Sequence, residues 1–142
     1  MFVVDTSVIL AWCLEDESSE IADAAMRRLV SEGGIAPAHW PLEVANALRS
    51  AERRGRLDGP ALRRLHPRLI SLPVEIVPVE LSAALGAIET ARLELSVYDA
   101  TYLDLADFRG LGLATVDERL AQACRAEGIP LIAASQGIPP VT

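Results

Sequence analysis

The chain contains no lysine; all 13 of its basic side chains are arginine. That excludes any mechanism needing a catalytic lysine. Cysteine is nearly absent. Cys13 and Cys124 lie far apart in apolar helical patterns. They match no metal-ligand spacing and read as two core thiols, not as a disulfide framework. No apolar run reaches the ~20 residues of a membrane-spanning helix. The apolar start, Met1 to Leu14, is interrupted by Asp5 and has neither a basic leader nor a small-residue cleavage site, so it does not read as a signal peptide. A cytoplasmic protein with no membrane association is expected. Linkers, internal repeats and low-complexity tracts are missing too. Residues 1–142 therefore read as a single domain.

What is present is a large apolar fraction. The chain is 51% hydrophobic with a mean hydropathy of +0.27, enough to cover both faces of a central sheet. Short apolar runs predict strands at Phe2–Val4, Ile35–Ala36, Val74–Val77, Leu111–Thr115 and Leu131–Ala133. Helical spacing occupies Val8–Leu14, Ile21–Val30, His39–Arg54, a segment opened by Asp58-Gly-Pro60, Glu80–Leu95, Ser96–Phe108 and Glu118–Ala126. The tail Gln136–Thr142, with Pro139-Pro140, reads as irregular. Short strands separated by amphipathic helices predict an α/β, three-layer sandwich: a mostly parallel central sheet flanked by helices. Paired helices between strands two and three, and again between three and four, depart from simple βαβ alternation.

Four acids fall at the ends of these elements. Asp5 follows Val3-Val4, Glu43 opens the helix behind Pro37 and Pro41, Asp99 follows Val97-Tyr98, and Asp117 follows Thr115-Val116. In an open parallel sheet the ligand crevice lies beyond the carboxyl ends of the strands. Asp5 and Asp117 fall there directly; Glu43 and Asp99 reach it from first helical turns. Each acid has a structural alternative. Asp5 and Asp117 can cap helices, Ser96 with Asp99 resembles a capping box, and Glu43 suits the positive end of a helix dipole. The joint pattern favours a site. Glu43 and Asp99 have apolar flanks, and acids gathered in a low-dielectric crevice repel one another until a cation relieves them. Asn46, one turn beyond Glu43, shares its face and is placed to hydrogen-bond it. The donors are all oxygen, which suits Mg²⁺ or Mn²⁺. His39 and His66 read as peripheral, with solvated or capping roles.

The segments Val3-Val-Asp-Thr-Ser-Val8, Glu43-Val-Ala-Asn-Ala-Leu48, Tyr98-Asp-Ala-Thr-Tyr-Leu-Asp-Leu-Ala106 and Leu113-Ala-Thr-Val-Asp-Glu-Arg-Leu120 resemble the motifs of PIN-domain nucleases, in the same order and over nearly the whole chain. More narrowly, they resemble VapC-type toxins of bacterial toxin–antitoxin systems. The resemblance implies a PIN-like fold and an endoribonuclease that uses Mg²⁺ or Mn²⁺. It implies an acidic metal-binding and catalytic set at Asp5, Glu43, Asp99 and Asp117, supported by hydroxyls at Thr6 or Ser7 and Thr115. It also implies a small cognate VapB-type antitoxin and a homodimer. One ion would lower the pKa of a bound water and a second would stabilise the leaving oxygen. Asp5 and Asp99 rank first as ligands, Glu43 next and Asp117 last, with Glu118 a partial substitute for Asp117.

An acidic nuclease needs a local basic surface for phosphate. Residues 49–68 supply one, with Arg49, Arg53, Arg54 and Arg56 nearest Glu43. The alternative is a solvated hairpin, or salt bridges to the acidic run near Glu15. Leu57, Leu62 and Leu65 on the same hairpin suit a partner helix. Two rival readings remain. A phosphotransfer domain (a receiver or a haloacid-dehalogenase-like phosphatase) also places acids at strand ends, but it normally uses a lysine. The other rival is a PIN-like module that binds without catalysis.

Overall fold

The computed structural model describes residues 1–133; the tail Gln136–Thr142 and the end of the expected 1–142 domain lie outside the described residues. The elements run β1 (Phe2–Val4), α1 (Thr6–Cys13), a 3₁₀ turn (Glu15–Glu17), α2 (Glu20–Glu32), β2 (Gly34–Pro37), α3 (Trp40–Arg53), α4 (Gly59–Ile70), β3 (Val74–Val77), α5 (Leu81–Ala91), α6 (Val97–Arg109), β4 (Leu113–Ala114) and α7 (Glu118–Glu127).

The four strands form one parallel sheet in the order β3-β2-β1-β4. Both faces are covered, and the alternation of side chains along each strand decides which residue joins which layer. Phe2, Val4, Ala36 and Ala114 face one core with Val8, Ile9, Met26, Leu29, Val44 and Leu48, so α1, α2 and α3 pack on that side. Val3, Ile35 and Leu113 face the other with Tyr102, Leu103, Ala106, Leu120 and Cys124, which brings α6 and α7. The sheet is therefore the middle of three layers. Gly34 is required where β2 passes α2: a Cβ there would lie 2.6 Å from Leu29 Cδ1 and 3.2 Å from the Phe2 carbonyl oxygen.

Helix starts follow local chemistry. Ser19, Asp58, Ser96 and Asp117 each accept a first-turn backbone N–H, capping α2, α4, α6 and α7. The chain departs from the sequence reading at three ends. The fourth strand is shorter than Leu111–Thr115, because Thr115 leaves the ladder and its hydroxyl turns to Asp5. The fifth expected strand, Leu131–Ala133, is a single parallel bridge between Leu113 and Leu131. The helix expected to reach Leu95 stops at Ala91, and Glu94 turns with φ of 64°.

The strand order sets the site. From β1 the chain goes to β2 on one side, while β4 flanks β1 on the other. The two connections diverge there and leave a crevice above the carboxyl ends of β1 and β4. Asp5 leaves the end of β1, and Thr115 leaves the end of β4. The Asp5 N–H donates to the Ala114 carbonyl at 3.0 Å, clamping the two ends together.

Candidate active site

Asp5 is 5% exposed. It occupies the N-cap position of α1, but its side chain caps nothing. Instead Oδ2 accepts two hydroxyl hydrogen bonds, from Ser7 at 2.6 Å and from Thr115 at 2.8 Å. Both hydroxyls give their only proton to Asp5, so the Ser7–Thr115 approach of 3.2 Å is a contact of lone pairs. The backbone N–H groups of Val116 and Asp117 then donate to Ser7 Oγ and Thr115 Oγ1. Each hydroxyl is thereby oriented from behind, and the start of α1 is tied to the end of β4. The capping alternative for Asp5 is set aside by this geometry.

Asp117 does cap its helix: Oδ1 accepts from the N–H groups of Arg119 at 2.9 Å and Leu120 at 3.4 Å. Asp99 stands in the first turn of α6, where its N–H donates to Ser96 Oγ at 3.0 Å. Glu43 comes from the first turn of α3, and its Oε1 accepts from the Tyr102 hydroxyl at 2.6 Å. Asn46 is exposed and makes no hydrogen bond to Glu43 among the described residues, contrary to expectation. Burial explains the difference: Tyr102 lies fully inside between α3 and α6 and reaches the carboxylate first.

The electrostatics are one-sided. Burial pushes the Asp5 carboxyl up to about 6, against the partial relief of its two hydroxyl donors, and the charges of Asp99 and Glu43 push the same way. Asp99 is raised by burial and then by Asp117 and Glu43, against the opposing hydrogen bond of Ser96 and the charge of His39. No arginine offsets either group. The acids thus sense one another across the crevice, with no arginine among them and only His39 as a basic neighbour.

Two residues escaped the sequence reading. Tyr102 falls three positions after Asp99, the spacing that puts it on the same helical face, and its hydroxyl also meets Thr6 Oγ1 at 3.1 Å. His39, read as peripheral, lies beside the acids. Its Nε2 is 3.3 Å from Glu43 Oε1, in a geometry that makes no hydrogen bond, and its ring stands edge-on to Tyr98 and Tyr102 at centroid distances of 5.4 and 5.2 Å. The available signal was its position four residues before Glu43.

The arginines divide. Arg56 forks onto Asp16, with two 3.0 Å bonds, and reaches Glu17 at 2.7 Å. It was expected on a phosphate-binding surface, but the acidic 3₁₀ turn takes up its donors, as the salt-bridge alternative held. Arg49 pairs with Glu52 at 2.9 Å. Arg53 and Arg54 are exposed and make no ion pair among the described residues. With Asn46, Arg49 and Ser50 they line an open cleft of about 430 Å³ on the helix that carries Glu43.

The donor chemistry fits a hard divalent cation: four carboxylates, no soft ligand, and mutual repulsion with no arginine to relieve it. Among the described residues no three acids, histidines or cysteines are already drawn together into a cage. Mg²⁺ does not require one, because it retains several waters and takes one or two carboxylates.

A buried aspartate at the switch point of a parallel sheet, ringed by acids from three helices, defines a class of acidic α/β site. The chain belongs to the PIN-domain family, whose model matches residues 2–126. Its relatives include Ribonuclease VapC3 of Mycobacterium tuberculosis, 36% identical over 121 residues, or 85% of each chain. Ribonuclease VapC9 of the same organism is 34% identical over 127 residues, 89% of this chain and 94% of that one. Ribonuclease VapC12 is 32% identical over 123 residues, 87% and 92%. The crystal structure of PAE2754 from Pyrobaculum aerophilum superposes with a TM-score of 0.67 at 23% identity, covering 92% of this chain and 90% of that one. At that identity the likeness is one of fold. No helix among the described residues is long and apolar enough to cross a membrane.

Proposed function

We propose that this protein is a VapC-type endoribonuclease, the toxin of a toxin–antitoxin pair, that hydrolyses RNA phosphodiester bonds with Mg²⁺ or Mn²⁺. The observation that carries the reading is the acid cluster around Asp5, which no arginine offsets. A buried carboxyl held by two hydroxyls and surrounded by further acids costs stability, and cation binding is what that cost prepares for.

Asp5 and Asp99 are the leading ligands, Glu43 joins them, and Asp117 completes the set while capping α7. A bound divalent ion supplies Lewis acidity, activating water for attack and neutralising charge that builds on the phosphate. Ser7 and Thr115 hold Asp5 Oδ2 and so keep Oδ1 directed outward. Thr6 presents its oxygen beside them. Arg53 and Arg54, with Arg49, hold the RNA backbone along α3, because phosphate contacts supply much of the affinity for RNA. A VapB-type antitoxin and a second copy of the chain are the expected partners, carried over from the VapC relatives. The phosphotransfer reading loses ground because the chain has no lysine to place beside the acids.

The test is cleavage of single-stranded RNA by purified protein. We expect cleavage with Mg²⁺ or Mn²⁺, none with EDTA, and a loss on the order of 10²-fold or more with Asp99→Asn. Cleavage that persists in EDTA, or at the wild-type rate in a folded Asp99→Asn variant, overturns the proposal, and stable acetyl-phosphate labelling of Asp5 revives the phosphotransfer reading.

A further inference from the structure

We propose that Tyr102 is a positioning residue for the acidic site: it holds Glu43 in place through a directed hydrogen-bond chain that begins at Thr6. The inference rests on the metal-dependent reading above and deepens it.

The direction of the chain follows from counting protons. The Tyr102 hydroxyl has one hydrogen, and it is donated to Glu43 Oε1 at 2.6 Å. At its 3.1 Å contact with Thr6 Oγ1 the phenol must therefore accept, and Thr6 must donate. The order is Thr6 to Tyr102 to Glu43, joining α1, α6 and α3. Each donor in such a chain polarises the next. The chain also uses up the Thr6 proton, so that Thr6 turns only lone pairs toward the crevice. Glu43 Oε1 is committed to the tyrosine, and Oε2 is the oxygen left for a ligand.

Tyr102 is 0% exposed, packs with Val3, Ile35, Leu103 and Leu113, and is braced edge-on by His39 at 5.2 Å. Glu43, by contrast, has a side chain 31% exposed at the start of its helix. A long, partly solvated carboxylate loses rotamer freedom when it is fixed, and Tyr102 is what fixes it. Burial and the hydrogen bond to Glu43 push the phenol pKa upward. A hydrogen bond from a core aromatic to a ligating acid is the kind of outer contact that tunes metal affinity.

The experiment is Tyr102→Phe, which deletes one oxygen and leaves the ring's packing in place. Mn²⁺ binding is read directly from the electron paramagnetic resonance signal of free Mn²⁺, and RNA cleavage is measured against Mn²⁺ concentration. We expect Mn²⁺ to bind about tenfold more weakly. The half-saturating Mn²⁺ for cleavage should rise by the same factor, while kcat at saturating Mn²⁺ stays within about threefold of wild type. A purely structural role would lower the melting temperature and leave Mn²⁺ affinity unmoved. Thr6→Val, which keeps the shape and removes the first donor, should weaken Mn²⁺ binding in the same direction by a smaller factor. Wild-type Mn²⁺ affinity in Tyr102→Phe, or in Thr6→Val should the phenylalanine variant not fold, overturns the inference. So does a loss of kcat that saturating Mn²⁺ does not restore. If the wild-type protein itself neither binds Mn²⁺ nor cuts RNA, the nuclease reading fails instead.

Discussion

Two acidic regions of this protein treat their charge in opposite ways. At the 3₁₀ turn, Asp16 and Glu17 are met by the Arg56 guanidinium, and Asp16 is held below the ordinary carboxylate range by that contact. At the carboxyl end of the sheet, Asp5 and Asp99 have no arginine partner and are pushed upward by burial and by neighbouring acids. The first region links α1 and α2 to the α3–α4 hairpin and needs nothing more. The second holds repulsion that only a ligand can relieve. Charge balance, more than the number of acids, separates a brace from a site.

The sharpest way to break the comparison is to neutralise the sheet-end acids. Asp99→Asn should lower RNA cleavage by on the order of 10²-fold or more, with the fold retained by circular dichroism. A smaller but opposite effect is expected on stability. Without metal, the folded Asp5 carboxyl titrates near 6, above its ordinary 3.8. The folded state therefore holds the proton more tightly than the unfolded chain does. The associated stability is fully present below 3.8 and is lost as pH rises from 3.8 through about 6. Asp5→Asn should then stabilise the metal-free protein at pH 8 by up to about 3 kcal/mol. The gain should vanish at the acid end of that window. Chemical denaturation in EDTA at both pH values checks this, and a variant less stable than wild type at pH 8 removes the idea of stored repulsion.

Next in size is the basic cleft. Arg53→Glu with Arg54→Glu should weaken RNA binding and flatten the slope of log K against log salt by about 1.4, or ~0.7 for each arginine withdrawn from a phosphate of the single strand. An unchanged slope, measured by fluorescence anisotropy with Ca²⁺ in place of Mg²⁺, would move the RNA path elsewhere. The smallest effect belongs to the brace. Arg56→Ala should lower stability only slightly and leave RNA affinity within error of wild type. A clear loss of affinity there would return Arg56 to the phosphate surface.

Much of this was legible in the chain. The parallel sheet followed from short apolar runs between amphipathic helices, and helix starts at Asp58, Ser96 and Asp117 followed from capping residues. That Asp5 and Asp117 both follow strands ending on one edge of the sheet was legible, because β1 and β4 are parallel neighbours. Other features were not, because each depends on which neighbour arrives first. Glu43 could hydrogen-bond Asn46 on its own helix, yet a buried tyrosine from α6 reaches it at 2.6 Å. Arg56 looked like its neighbours Arg53 and Arg54, yet only Arg56 faces the 3₁₀ turn. Leu131–Ala133 carries the composition of a strand but makes one bridge.

The sequence by itself determined the layers, the elements and the four acids, because those depend on periodicity and on local backbone chemistry. Tertiary structure alone decided that Asp5 is held by Ser7 and Thr115 instead of capping α1, that Tyr102 and His39 attend Glu43, and that Arg56 is tied to the 3₁₀ turn. These outcomes rest on contacts between residues distant in the chain, and a side chain with several possible partners takes the one that packing brings within hydrogen-bonding reach.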